Sequence, residues 1–390
     1  MARDSSGPPE GIAAIHQRLQ AGTEVLRSLA PDAVGAAWNR LMAEVLDPNS
    51  SFWTNAFEEE VAAEIGMHPQ TLQASLSASL QGYELSDNPP LARSSAGPVA
   101  AVLAANVPVL APQFLRAALL RRRAALVKPA SGAARFAERF VDSLQRELAL
   151  PETAYLTRRW DGGNLDDEHL ARDFERIAVY GGAETVARFA ELEQAPGQMA
   201  LFGPKASVAV VSDRGEIDYR ALARDIALFE QRGCLSLQIV YLLRPCSSAG
   251  EIATELSHAL DTICQTLPTP DDLAAASAAR QWVDVARLQG HEATGTPGRS
   301  AVVVEAPGAP FPPGGRSVSL RVVHSDDLIP RLRAAQERIQ GLCWAGMASP
   351  PTAILQLAEQ ASWRLVPAGQ LQQAGPDWLN GGIDLLQWLG

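Results

Sequence analysis

From Gly97 onward, short continuous apolar runs alternate with helical stretches, and this alternation limits the fold more than any other feature of the chain. The runs are VAAVLAAN (99–106), AALVKPA (124–130), IAVYGGA (177–183) and SVAVVSD (207–213). Helical spacing fills residues 112–122, 133–148, 183–192 and 218–231. Strands that are apolar at nearly every position lack the period-two pattern of a half-solvated sheet, so they predict a parallel sheet covered on both faces. The alternation resumes after Cys234 with LQIVYLL (237–243), EIATELSHALDTICQTL (251–267), SAVVVEAP (300–307), SVSLRVVHS (317–325) and WRLVPAG (363–369). DDLAAASAARQWVDVARL is a further helix, and EAPGAPFPPGGR (305–316) reads as a loop. The first 85 residues keep a different rhythm. GIAAIHQRLQAGTEVLRSLA and AAWNRLMAEVL repeat apolar residues at helical spacing, punctuated by Pro31 and Pro48. The expectation is an α/β protein: two α/β domains with mainly parallel sheets and a helical N-terminal region.

A chain of 390 residues can bury two cores. Its composition, 47% hydrophobic and 20% charged, is that of a soluble globular protein. A net charge of -11 argues against nucleic acid and acidic membranes as partners. A small polyanion held by local groups stays open, and RRRAALVK (121–128) is a local reserve of positive charge. Cys234, Cys246, Cys264 and Cys343 show no CxxC spacing and no paired histidines. No metal site is expected, and scattered thiols suit a reduced, cytoplasmic setting. Residues 1–22 carry charges and no apolar core, so no secretory signal is expected there. The most apolar window, 99–115, is broken by Asn106, Pro108, Pro112 and Gln113. A bilayer span needs roughly 20 uninterrupted apolar residues, so no membrane span is expected.

Five short elements could carry chemistry. Cys234 follows Gln-Arg-Gly at the mouth of a strand. A lone cysteine there is most often a small core residue. A glycine turn with open backbone N–H groups also suits a thiol that attacks a carbonyl. Asn106, at the carboxyl end of a strand, could offer an amide donor or simply cap the next helix. Lys128 ends a strand and is braced by Pro129, placed for a ribose or phosphate or merely solvated. Gly181-Gly182 joins a strand to a helix and would let N–H groups approach a pyrophosphate, or is only a turn. LFGPKASVAVV (201–211) is a Gly-Pro-Lys turn that carries no carboxylate.

Taken in this order, the pieces resemble the aldehyde dehydrogenase superfamily, and more closely its acyl-CoA reductase branch, the LuxC-type fatty-acid reductases. YGGAETV, FGPKASVAVV, DIALFEQRGCLS and the ending RLVPAGQLQQAGPDWLNGGIDLLQWL are similar to that branch in order and spacing. The likeness runs from about Gly97 to Gly390. It implies an aldehyde dehydrogenase-like fold, divided as a helical region (1–85), a Rossmann-like cofactor domain (86–228), a catalytic domain (229–345) and a C-terminal segment (346–390) that packs back or serves oligomerisation. It implies that Cys234 takes the acyl group as a thioester, with Asn106 and the Cys234 N–H as the oxyanion hole. Lys128 would hold the adenosine ribose or its phosphate, and Gly181, Gly182 and Glu184 would line the cofactor site, although Glu184 also suits a helix first turn.

Departures from the family pattern sharpen this. Hydrolytic relatives have Glu-Leu-Gly-Gly where this chain has Leu201-Phe202-Gly203-Pro204. Without that base, release of a free acid is disfavoured, while exchange with a thiol such as coenzyme A needs less help. The family's acid after the strand-end lysine is Ser131 here, with Arg135 nearby. A carboxylate there repels a 2′-phosphate, so the resemblance favours NADPH over NADH. The glutamate that holds the nicotinamide ribose has only Glu305 as a candidate. The expected activity is reduction of an acyl-CoA, fatty acyl by family default, or of a carrier-bound acyl thioester, to the aldehyde. Rival readings are oxidation of a free aldehyde with NAD(P), for which His324 is the only histidine at a strand end, and a non-catalytic partner subunit. A homo-oligomer paired through an added strand, or a partner acyl-transfer protein, also belongs to what the resemblance implies.

Overall fold

Each of the two sheets is built within its own part of the chain. The computed structural model describes residues 11–92, 96–151, 153–212, 217–243, 248–296, 298–304, 312–345 and 349–390. Unit 1 takes residues 1–43, 84–203 and 385–390, and unit 2 takes 44–83 and 204–384. This division differs from the boundaries expected at 85, 228 and 345. The N-terminal helices are shared out because they bury their faces in different places. Helix Ile12–Ser28 lies on the sheet of unit 1, where Thr23 Oγ1 accepts from Ala124 N–H at 3.2 Å. Helix Pro69–Leu80 instead braces the segment around Phe229 in unit 2.

Unit 1 holds five strands: β1 (Val99–Val102), β2 (Ala125–Lys128), β3 (Tyr155–Thr157), β4 (Ile177–Tyr180) and β5 (Met199–Phe202). Their order is β3-β2-β1-β4-β5, with every neighbouring pair parallel. All residues of β1, β2 and β4 are buried, as expected for a sheet covered on both faces. Phe114, Phe140 and Phe189 from the crossover helices fill that cover. The strand order turns about between β1 and β4, and open α/β sheets bind ligands beyond the carboxyl ends of the strands at such a point.

The arginine run at 121–123 is not a reserve for a ligand. Arg121 Nε donates to Leu386 O at 2.6 Å, and Arg123 Nη1 donates to Leu389 O at 2.9 Å. Arg122 reaches the carbonyls of Arg27 and Leu29. Arg176 adds a hydrogen bond to Trp388 O at 3.1 Å and lies 5.7 Å from the Trp388 ring centroid. Arg121, Arg123 and Arg176 hold residues 385–390 on unit 1, while Arg122 ties down the end of helix Ile12–Ser28.

Unit 2 holds β6 (Ala206–Ser212), β7 (Leu237–Leu243), β8 (Glu292–Thr294), β9 (Ala301–Val304), β10 (Ser317–Val323), β11 (Ile339–Ala345) and β12 (Arg364–Pro367). The order is β12-β11-β6-β7-β10-β9-β8, parallel except for β8 at the edge. Leu222, Ile226, Leu256 and Leu320 belong to one core cluster, and Val210, Ile239, Leu332 and Trp344 to another. The wholly buried β11 has no counterpart in the sequence reading. Its IQGLCWA mixes polar, small and aromatic residues, and it is a strand because β6 and β12 pair with it. A Cβ on Gly341 would fall 2.8 Å from Ser207 Oγ and 2.9 Å from Leu371 Cδ2, so any larger residue there makes those side chains shift. Among the described residues, no helix is long and apolar enough to cross a membrane, and no acidic, histidine or cysteine cluster could hold a metal.

Candidate active site

The approach to Cys234 differs from the single helix expected over 218–231. The helix runs from Tyr219 to Ala227 and then gives way to a tight turn over Leu228–Gln231. Phe229, Glu230 and Gln231 have φ of 53°, 49° and 58°, three non-glycine residues in the left-handed region. Each such residue costs on the order of 1–3 kcal/mol and persists only where its surroundings hold it. Ser75 Oγ accepts from Phe229 N–H at 3.0 Å. Gln231 Nε2 donates to Leu237 O and Ser317 O, both at 2.8 Å, while its Oε1 accepts from Ser317 N–H at 2.8 Å. Glu230 forms an ion pair with the fully buried Arg316, whose Nη1 also reaches Cys264 Sγ at 3.0 Å.

This braced turn delivers Cys234 to a second turn directly before β7. Ser207 Oγ, on β6, donates to Cys234 O at 3.1 Å. Ser236 Oγ accepts from Gln372 Nε2 at 3.1 Å. The residue as a whole is half-buried, yet protein packed around the sulfur pushes the thiol up to about 11. Opposing that burial, to a lesser degree, are its own N–H, the charge of Lys205 and the N–H of Leu235. The thiol therefore sits on a rigid turn, protonated at neutral pH, with two backbone donors and one cation acting on its anion.

In unit 1 a cleft of about 460 Å³ opens at the carboxyl ends of β1, β2 and β4. It brings together Lys128, Ser131, Gly181, Gly182 and Glu184. Gly182 caps helix Ala183–Leu192 with no side-chain cap, which leaves first-turn N–H groups open to the cleft. A Cβ on Gly181 would fall 2.8 Å from the side chain of Thr185, so the close turn needs glycine. Lys128 is buried, not solvated, and burial lowers its pKa against the opposing charges of Asp167 and Asp161. Its Nζ lies 5.2 Å from the ring centroid of Trp160. Trp160 Nε1 in turn donates to Asp167 Oδ1 at 2.7 Å.

Trp160, Asp167 and Arg188 were not singled out in the sequence. Asp167 Oδ2 accepts from Gly163 N–H at 2.6 Å and from Arg188 Nε at 3.2 Å. The available signal was Asn164, which caps the acidic first turn of helix Leu165–Asp173, but it marks a helix start and no ligand. Asn106 and Arg135 also belong to unit 1 and do not line the cleft. Asn106 is half-buried in the loop after β1, and Arg135 is exposed at the start of helix Arg135–Glu147. Glu305 lies outside the described residues. His324 is exposed at the start of helix Ser325–Ala334.

The fold is that of the aldehyde dehydrogenases. The chain superposes on an NAD-dependent aldehyde dehydrogenase from Sinorhizobium meliloti with a TM-score of 0.69 at 13% identity, covering 97% of this chain and 83% of that one. An E. coli NADP dependent enzyme gives 0.69 at 13% identity over 91% and 82%. An NAD-dependent benzaldehyde dehydrogenase from Corynebacterium glutamicum gives 0.67 at 15% over 92% and 87%. No curated protein matches the chain. The acyl-CoA reductase (LuxC) family model matches residues 62–389, and the chain belongs to that family. It is therefore an oxidoreductase, whose chemistry is acyl reduction or the aldehyde dehydrogenase type.

Proposed function

We propose that the protein reduces an acyl thioester, acyl-CoA with a fatty acyl chain, to the aldehyde through a covalent thioester on Cys234, with NADPH as reductant. The observation that carries this reading is the Cys234 thiol on a braced turn with two N–H donors and Lys205 acting on it; the resemblance adds that Leu201 stands where hydrolytic relatives carry a glutamate. Cys234 belongs to unit 2, and the cleft that we assign to the cofactor belongs to unit 1. Cys234 Sγ bonds to the carbonyl carbon, the bond from that carbon to the coenzyme A sulfur breaks, and the thiol proton leaves on coenzyme A. The N–H groups of Cys234 and Leu235 favour negative charge at this place, first on sulfur and then on the nearby carbonyl oxygen. A reduced nicotinamide, when bound, would supply the hydride that releases the aldehyde and leaves the Cys234 thiolate, which takes a proton from water to return to the thiol. The uncapped N-terminus at Gly182 fits a pyrophosphate, and buried Lys128 fits the adenosine ribose, with Ser131 and Glu184 at the rim. Asn106 is proposed as a carbonyl-oxygen donor, as the resemblance implies.

Incubating Cys234→Ala with acyl-CoA tests the reading in two stages. Without cofactor, the wild type releases one equivalent of coenzyme A and gains the acyl mass on Cys234, and the variant does neither. With NADPH only the wild type makes aldehyde. Undiminished turnover by the variant overturns the proposal.

A further inference from the structure

The cations of the unit 1 cleft gather around one fixed pair. Asp167 is almost fully buried and is held by Trp160 Nε1 and Gly163 N–H, so its position does not depend on Arg188. Lys128 stands over one face of Trp160, and Arg188 closes on Asp167 from the helix that follows the Gly181-Gly182 turn. Arg188 Nε is bonded to Asp167 at 3.2 Å and Nη2 to Asn164 O at 3.3 Å. These bonds aim the guanidinium at the cleft it lines and leave Nη1 without a partner among the described residues. Arg135, the arginine expected from sequence, is absent from the cleft lining.

We infer that Arg188, positioned by Asp167, is the residue that selects a 2′-phosphorylated adenosine in this cleft. A 2′-phosphate carries close to two negative charges and takes charge-assisted bonds from a guanidinium that is already oriented. An adenosine with a free 2′-hydroxyl leaves that guanidinium on Asp167 and gains nothing from it. Arg188 thus discriminates between two ligands that the helix N-terminus and Lys128 hold alike. The inference rests on the NADPH reading above and deepens it by naming the residue responsible.

Binding of NADPH and NADH to the full chain is measured by protein fluorescence, together with displacement by 2′,5′-ADP and by 5′-AMP, so no turnover is required. The wild type binds NADPH and 2′,5′-ADP more tightly than their unphosphorylated counterparts. Arg188→Gln weakens both phosphorylated ligands about 10- to 100-fold and leaves NADH and 5′-AMP unchanged. Retained NADH binding also shows that the variant is folded. Arg188→Lys recovers part of the preference. A wild-type preference that survives in Arg188→Gln overturns the role of Arg188 and leaves the reductase reading standing. A wild type without preference overturns the choice of NADPH as well. Equal loss of all four ligands in both variants shows Arg188 to be structural and overturns the inference.

Discussion

The acidity of the Cys234 thiol is a contest between burial and a few nearby dipoles and charges. Burial raises the thiol to about 11, above its ordinary value, so the neutral form dominates at pH 7. Only the thiolate reacts with an alkylating reagent, and its fraction grows tenfold with each pH unit below the pKa. Alkylation of Cys234 by iodoacetamide, followed on its own peptide by mass spectrometry, is expected to rise about tenfold per unit from pH 7 to about 10. Lys205→Met removes the cation that lowers the pKa, so the rate falls at every pH below 11. A wild-type rate already level below pH 8 would show a thiolate stabilised beyond what the site provides.

At the scale of the element, three successive left-handed residues are tolerable only because separate segments hold them. Arg316 directly precedes β10 and reaches Glu230, 86 positions earlier in the chain. Both members are buried, and removing one leaves the other charged and unpartnered, at a cost of about 3–5 kcal/mol. Arg316→Leu is expected to lose stability of that order in denaturant unfolding. Arg316→Leu combined with Glu230→Leu is expected to recover part of it, because no stranded charge remains. Equal loss in the single and double variants would show that packing, not charge, decides this contact. The same turn explains a shortfall of sequence reading. DIALFEQ has good helical spacing through Gln231, and nothing local foretells a break after Ala227 that is stabilised by Ser75, Arg316 and Ser317.

Across the whole molecule, chain order and unit membership part company. Residues 385–390 belong to unit 1 because Arg121, Arg123 and Arg176 take their carbonyls, and Trp388 Nε1 donates to Gly197 O at 3.0 Å. Deleting 385–390 removes one acceptor from each of those arginines. The expected result is faster amide exchange in β1, β2 and β4 with protection in β6, β7 and β10 unchanged, read by hydrogen–deuterium exchange. Uniform loss of protection in both sheets would contradict that assignment.

The strand–helix alternation, the parallel sheets and the order of motifs were legible because apolar periodicity and glycine turns are local properties. That Lys128 and Gly181-Gly182 meet at one cleft was legible for the same reason, as each lies at the carboxyl end of a strand in one parallel sheet. Other features came only with the tertiary structure, among them β11, the left-handed turn before Cys234, the use of Arg121 and Arg123 to bind the tail, and the Trp160–Asp167–Arg188 group. Each depends on partners far away along the chain, and a hydrogen bond or ion pair between distant residues leaves no period in the sequence. Sequence determined which kinds of group line each strand end; folding decided which of them meet, because only packing sets distance, burial and charge.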